Sequence, residues 1–235
     1  LTGNSDVVAA ALSGTFASTY TGDVTLSDAH TITELKTINE ATTGDITLAN
    51  YTVALTGNSD VVAAALDGTF AATYEGDVTL SDAHTITELK TINDQTTGTI
   101  TLANYAVALS GTAAVVKAAL DGNFADTYTG NVTISDLAGQ TVQAADLNTI
   151  AGDTDGTVTV TNAVIISGTA AVIATAAGNV TAATAKISVG DAHTINNLKT
   201  INDETSGEIT LTNYAVDLTG NSDVVAAALD GTFAD

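Results

Sequence analysis

The chain repeats itself. Residues 1–54 and 55–108 agree at 47 of 54 positions. Self-similarity at a fixed period of this length marks a repeat architecture, and ordinary domain counting does not apply to it. The seven differences are Ser13/Asp67, Ser18/Ala72, Thr21/Glu75, Glu40/Asp94, Ala41/Gln95, Asp45/Thr99 and Thr52/Ala106, and they spare every large apolar residue. Those positions are expected to face solvent. A third, diverged copy begins at Leu109, a fourth at Ile166, and residues 218–235 open a fifth. The domain reading is one continuous array over 1–235, with repeats at 1–54, 55–108, 109–165, 166–217 and a partial 218–235.

Each copy carries one short motif twice: Gly, any residue, a β-branched apolar residue, Thr, an apolar residue, any residue, then Asp or Asn. Its apolar core starts at Val24, Ile46, Val78, Ile100, Val132, Val158, Ile187 and Ile209. The middle residues are Thr25, Thr47, Thr79, Thr101, Thr133, Thr159, Ser188 and Thr210. The closing residues alternate: Asp28, Asn50, Asp82, Asn104, Asp136, Asn162, Asp191, Asn213. The pattern predicts eight short strands with Val24 and Leu26 inward and Thr25 outward. Their starts are spaced 22, 32, 22, 32, 26, 29 and 22 residues apart, so short and long connections alternate.

The connections read as helices. Ile32, Leu35 and Ile38 share one helical face. Thr31 with Glu34 fits a capping box, and Asp28 is a second candidate cap. In the longer connection an Asn50 turn and an extended Tyr51–Leu55 piece precede a helix over Ser59–Leu66. Val62, Leu66, Phe70 and Tyr74 recur every four residues, but Gly68 is expected to end the helix before Phe70. Ser59-Asp60 supplies a cap and a negative charge at the helix start. Strand, helix and the same strand again imply parallel neighbours with right-handed crossovers. The expected fold is an α/β repeat solenoid of stacked parallel strands, one per coil. With strands ~4.8 Å apart, eight coils would span roughly 40 Å. An all-β solenoid is the alternative, while tandem β-sandwiches are disfavoured by the short repeat.

Composition sets limits on partners. Five Lys face 27 acids, for a net charge of −22, which repels nucleic acid and anionic lipid. Such a surface suits high ionic strength or a medium rich in divalent cations. Aromatics are only 4 % of residues, so the core is assembled from small pieces. There is no Cys, which removes disulfides and thiolate metal sites. Apolar runs such as Val7 to Leu12 are far too short to insert in a membrane. A chain that contains no Met and opens Leu1-Thr2-Gly3 is expected to be processed or part of something longer.

No catalytic constellation stands out, so no catalytic, cofactor-binding or metal residue is assigned and the chain is read as no enzyme. The threonine column, with a second column of Ser27, Ala49, Ser81, Ala103, Ser135, Thr161, Gly190 and Thr212, makes an uncharged face of small residues. It reads as ordinary strand chemistry, as a lateral packing surface, or as an ice-binding array. The Asp/Asn column reads as a turn ladder capping backbone N–H groups, or as a calcium site. Against calcium, the Gly-Asn-Ser-Asp loops at 57–60 and 220–223 become Gly-Thr-Ala-Ala at 111–114 and 168–171. His30, His84 and His193 all lie in Asp-Ala-His-Thr-Ile and read as turn residues near a helix start. Asp146, Asp153 and Asp155, in the irregular stretch 137–186, are the one set an enzyme could draw on. Asn50, Asn131 and Asn179 satisfy the glycosylation pattern, a weak signal in a Thr-rich chain.

The string Ser81-Asp-Ala-His-Thr-Ile-Thr-Glu-Leu-Lys-Thr-Ile-Asn93, followed by Thr96-Thr-Gly-Thr-Ile-Thr-Leu102, resembles tandem repeats of very large secreted bacterial cell-surface proteins, adhesin-like or of surface-layer type. The resemblance implies an extracellular location and a structural or adhesive role, and brings no catalytic residue with it. Neither end of the chain has the polar cap of a finished solenoid. The chain is therefore expected to be a segment of a longer array or to self-associate, end to end or laterally, with glycan or ice binding by the flat face as the alternative.

Overall fold

A computed structural model describes residues 1–234. The fold is α/β: short strands, all paired in parallel, alternate with helices of eight to ten residues. The helices exclude the all-β alternative. The chain divides into two compact units, one of Leu1–Val107 with Ala118–Thr127, the other of Ala108–Lys117 with the chain from Tyr128 onward.

The first unit opens with β1 (Thr2–Gly3), α1 (Ser5–Leu12), β2 (Val24–Leu26), α2 (Ile32–Ala41) and β3 (Ile46–Thr47). It continues with β4 (Leu55–Gly57), α3 (Ser59–Leu66), β5 (Val78–Leu80), α4 (Ile86–Gln95) and β6 (Ile100–Thr101). Helix α2 starts where its sequence says it should. Thr31 Oγ1 accepts from the Glu34 N–H, and the Glu34 carboxylate accepts from the Thr31 N–H, closing the capping box. Its inner face buries Leu35 and Ile38. Helix α3 ends at Leu66, ahead of Gly68, and buries Val62, Ala65 and Leu66 completely. Consecutive helices α1 to α4 pack on one another. None of the seven positions that differ between the first two copies is buried in either copy.

All eight motif segments form strands, with the middle residue less buried than its flanks in each three-residue example. Their pairing departs from the expected single stack. In the first unit there are two sheets, in order β1-β2-β3 and β4-β5-β6. Val24 lies beside Ile46 and Val78 beside Ile100, but Ile46 is followed by Phe70, not by Val78. The reason is arithmetic of the backbone. Helix starts at Ser5, Ile32, Ser59 and Ile86 are 27 residues apart, whereas strand partners are 22 to 24 apart. The 32-residue connection from Ile46 to Val78 overshoots, and Phe70 falls into the vacant register. Each sheet thus slides past the helices by a few residues per step and ends after three strands and a phenylalanine bridge.

The second unit carries β7 (Leu109–Gly111), α5 (Ala113–Leu120, whose last residues belong to the first unit), β8 (Val132–Ile134), β9 (Thr141–Gln143) and α6 (Ala144–Gly152). Then follow β10 (Val158–Val160), β11 (Ile165–Gly168), α7 (Ala170–Asn179), β12 (Val180–Thr181), β13 (Lys186–Val189), α8 (Ile195–Glu204), β14 (Ile209–Leu211) and α9 (Ser222–Leu229). Its sheets run β7-β8-β10-β12 and β9-β11-β13-β14. The irregular stretch admits the extra strand β9 through a turn at Gly139, whose φ of 79° suits glycine. Helices α6 to α9 pack in succession.

Candidate functional site

The polar residues of the repeat are engaged with neighbouring elements of the same unit. Asp28 was a candidate cap for α2, the helix after it. It caps instead the helix before it: Oδ1 accepts the Ser5 N–H at 2.7 Å, at the start of α1. Asp82 does the same for Ser59 at the start of α3, Asp136 for Ala113, and Asp191 for Ala170. The carboxylate therefore meets the positive end of a helix dipole as well as an orphan N–H. Three of the four intervening amides do local work, and the fourth, Asn162, donates to the Asp136 carbonyl. Asn50, Asn104 and Asn213 each accept the N–H two residues on, closing Asx turns. This accounts for the alternation of acid and amide: a charge stands where a helix start needs it. It also corrects the reading of Ser59 as the cap. Asn58 holds the N-cap position of α3, and Ser59 is the residue being held.

Two further ladders recur. Asn39 at the end of α2 donates from Nδ2 to the Ala64 carbonyl of α3 at 2.8 Å. Asn93, Asn148 and Asn202 make the equivalent bond to Ala118, Val172 and Ala227. At the exit of α2, Thr42 donates to the Gly22 carbonyl and accepts from the Gly44 N–H, both at 3.0 Å. Thr96, Thr154 and Thr205 repeat that pattern.

The threonine column is not one continuous array. It is divided among the four sheets: Thr2, Thr25 and Thr47; Thr56, Thr79 and Thr101; Ser110, Thr133, Thr159 and Thr181; and Gln143, Ser167, Ser188 and Thr210. The flanking column is exposed throughout, but Ser27 and Ser81 donate to Asn4 and Asn58, and Thr161 and Thr212 donate to backbone carbonyls.

His30, His84 and His193 sit immediately before helix N-caps, and all three are buried, which their turn context did not suggest. His30 Nε2 lies 3.1 Å from the hydroxyl of Tyr74, which donates to the Val53 carbonyl at 2.5 Å. Burial lowers the pKa of His30 and His84, outweighing the opposite pull of Glu34 and Asp28 on the one and Glu88 and Asp82 on the other. Burial also raises the Tyr74 and Tyr128 phenols above their ordinary value. The signal that could have exposed this pair is a recurrent spacing within the chain: Tyr74 and Tyr128 stand 44 residues after His30 and His84.

The remaining candidates do not converge. Asp146 pairs with Lys117 at 2.6 Å, Asp153 follows the end of α6, and Asp155 is exposed. Lys36, Lys90 and Lys199 each pair with the acid four residues on, and Lys186 with Glu208. Among the described residues no group of three or more His, Asp or Glu side chains comes together to hold a metal ion. Asn50 and Asn131 are exposed, with their carbonyl oxygens engaged by Thr52 and Thr157. Among the described residues no helix is long and apolar enough to cross a membrane.

These features define an α/β repeat protein whose polar ladders join neighbouring elements within and between repeats. Comparison with family models, with curated proteins and with solved structures finds no match for the chain.

Proposed function

We propose that the chain is a non-enzymatic structural repeat protein of the solenoid kind, which extends an extracellular filament, surface layer or adhesin stalk. One observation carries the reading. The repeated Asp, Asn, Thr and His side chains tie neighbouring segments together: Asp28 to Ser5 and Thr42 to Gly22 within a repeat, Asn39 to Ala64 and His30 to Tyr74 from one repeat to the next. A chain that commits its recurrent polar groups to joining neighbours has stacking as its task. The acidic surface, with all five lysines tied in ion pairs, disfavours nucleic acid and anionic lipid as partners. Glycan or ice binding by the threonine ladders is the second reading. Their division into runs of three or four residues suits short ligands better than an extended lattice.

Electron microscopy and sedimentation over a range of concentrations test the proposal. Elongated particles that associate end to end or side by side are expected. Compact particles that stay dispersed at every concentration would remove it, and a positive glycan screen or thermal hysteresis would move the assignment to the second reading.

A further inference from the structure

Three helices share one octapeptide, Ser-Asp-Val-Val-Ala-Ala-Ala-Leu, in α1, α3 and α9. Differences in their burial therefore report their neighbours and nothing else. In α3 both flanks are covered. In α1 the flank that packs on α2 is buried at Val8 and Leu12, while Val7 is 60 % exposed and Ala10 and Ala11 are open. The counterpart of Ala11 in α3, Ala65, is fully buried. Beyond the helix the contrast persists. Phe16 is 49 % exposed, whereas its counterparts Phe70 and Phe124 bridge to Ile46 and Ile100.

The covered copy shows what fits there. Against α3 lies α2, whose Asn39 donates to Ala64 O and fills the space beside Gly68. A methyl group on Gly68 would stand 1.9 Å from Asn39 Oδ1. The strand after α2 completes the contact: the Ile46 N–H donates to Thr69 O at 2.8 Å and the Ala71 N–H to Ile46 O at 3.0 Å. The corresponding positions, Thr15 and Ala17, are exposed, and a methyl on Gly14 would meet nothing within 4 Å.

We propose that the open flank formed by Val7, Ala10, Ala11, Gly14 and Phe16 is a docking surface for a coil of the α2 kind. Such a coil is a helix with an Ile-Leu-Ile seam ending in Asn, followed by a Thr-Thr-Gly exit and an Ile-Thr strand. The asparagine amide caps the Ala10 carbonyl, its oxygen occupies the space over Gly14, and the strand pairs with the Thr15–Ala17 backbone. The inference deepens the structural reading above by naming the partner chemistry of one face, and it rests on that reading only for its biological use.

The test joins residues 23–54 ahead of Leu1, which recreates the Ala54–Leu55 junction already present in the chain. Far-ultraviolet circular dichroism should show the added helix, and thermal melting reads the contact. Gly14→Ala should shift Tm by less than about 1 °C in the unextended chain and lower it by about 4 °C or more in the extended one. Asn39→Ala in the added copy should remove most of the stability gained. The proposal is overturned if the added residues gain no helix, or if Gly14→Ala shifts both chains alike. A full-length chain that forms no elongated assemblies would cancel the structural role while leaving this result standing.

Discussion

The Tyr74 hydroxyl joins two distant points of the chain: it receives His30 at 3.1 Å, 44 residues earlier, and donates to Val53 at 2.5 Å. A phenol has one proton, so with that proton on Val53 the histidine must donate from Nε2. Nδ1 is left as the acceptor, and it is buried with no hydrogen-bond partner. Protonating it would create a buried cation and an unsatisfied N–H together.

A pH dependence follows, with a definite sign. The folded state holds His30 and His84 below the ordinary histidine value, so the unfolded chain binds more protons in that range. Stability is then complete above about pH 6.5 and is lost as pH falls beneath it, by up to about 1.4 kcal/mol per pH unit for each histidine. Carboxylates such as Glu34, whose pKa is lowered chiefly by its hydrogen bond from the Thr31 backbone, act only at lower pH. Urea unfolding between pH 7 and 5 should show the decline, and a His30→Gln/His84→Gln chain should be flatter. Equal slopes would refute the assignment.

The acid ladder predicts a graded series at one position. Asp82→Ala removes the acceptor for Ser59 and should cost about 0.5–2 kcal/mol in urea melts. Asp82→Asn keeps an acceptor but loses the charge at the helix start, for a smaller cost of about 0.3–1 kcal/mol. A result in which Asn is the worse substitution would contradict the capping geometry.

Two glycines should respond in opposite directions. A methyl on Gly98 would lie 2.2 Å from the Gly76 carbonyl oxygen, so Gly98→Ala must push main chain apart and should cost more than about 2 kcal/mol. Gly178 lies in α7 with nothing within 4 Å, and Gly178→Ala should stabilise by about 0.5–1 kcal/mol. Paired thermal melts decide this directly.

Salt should stabilise the chain. With 27 acids against five lysines, self-repulsion opposes folding and is screened over a Debye length of about 10 Å at 0.1 M. Tm should rise by several degrees between about 10 mM and 0.5 M NaCl. A fall would mean that the ion pairs, Lys117–Asp146 first among them, outweigh the repulsion.

Much of the local structure was legible in the residues. The octapeptide Ser59–Leu66 is the helix its spacing predicts, Thr31 and Glu34 close the expected capping box, and Gly68 lies just past the helix end. What local pattern cannot reveal is which segments become neighbours. Val24 and Val78 share a motif, yet Val78 does not lie beside Ile46, because connection length decides register and Phe70 arrives there first. The same limit hid the reach of Asp28 back to α1 and the burial of His30. Each depends on a residue of another element, more than twenty positions away in sequence and brought close only when the chain has folded.

The bond from Asp28 to Ser5 also sets an order of events. Helix α1 is finished by a side chain 23 residues further on, and α3 by Asp82 at the same distance. A chain delivered from its N-terminus by a ribosome would leave each of these helix starts bare until that much more had emerged. Contacts of such short range close quickly, so maturation would advance like a zip, one turn behind delivery.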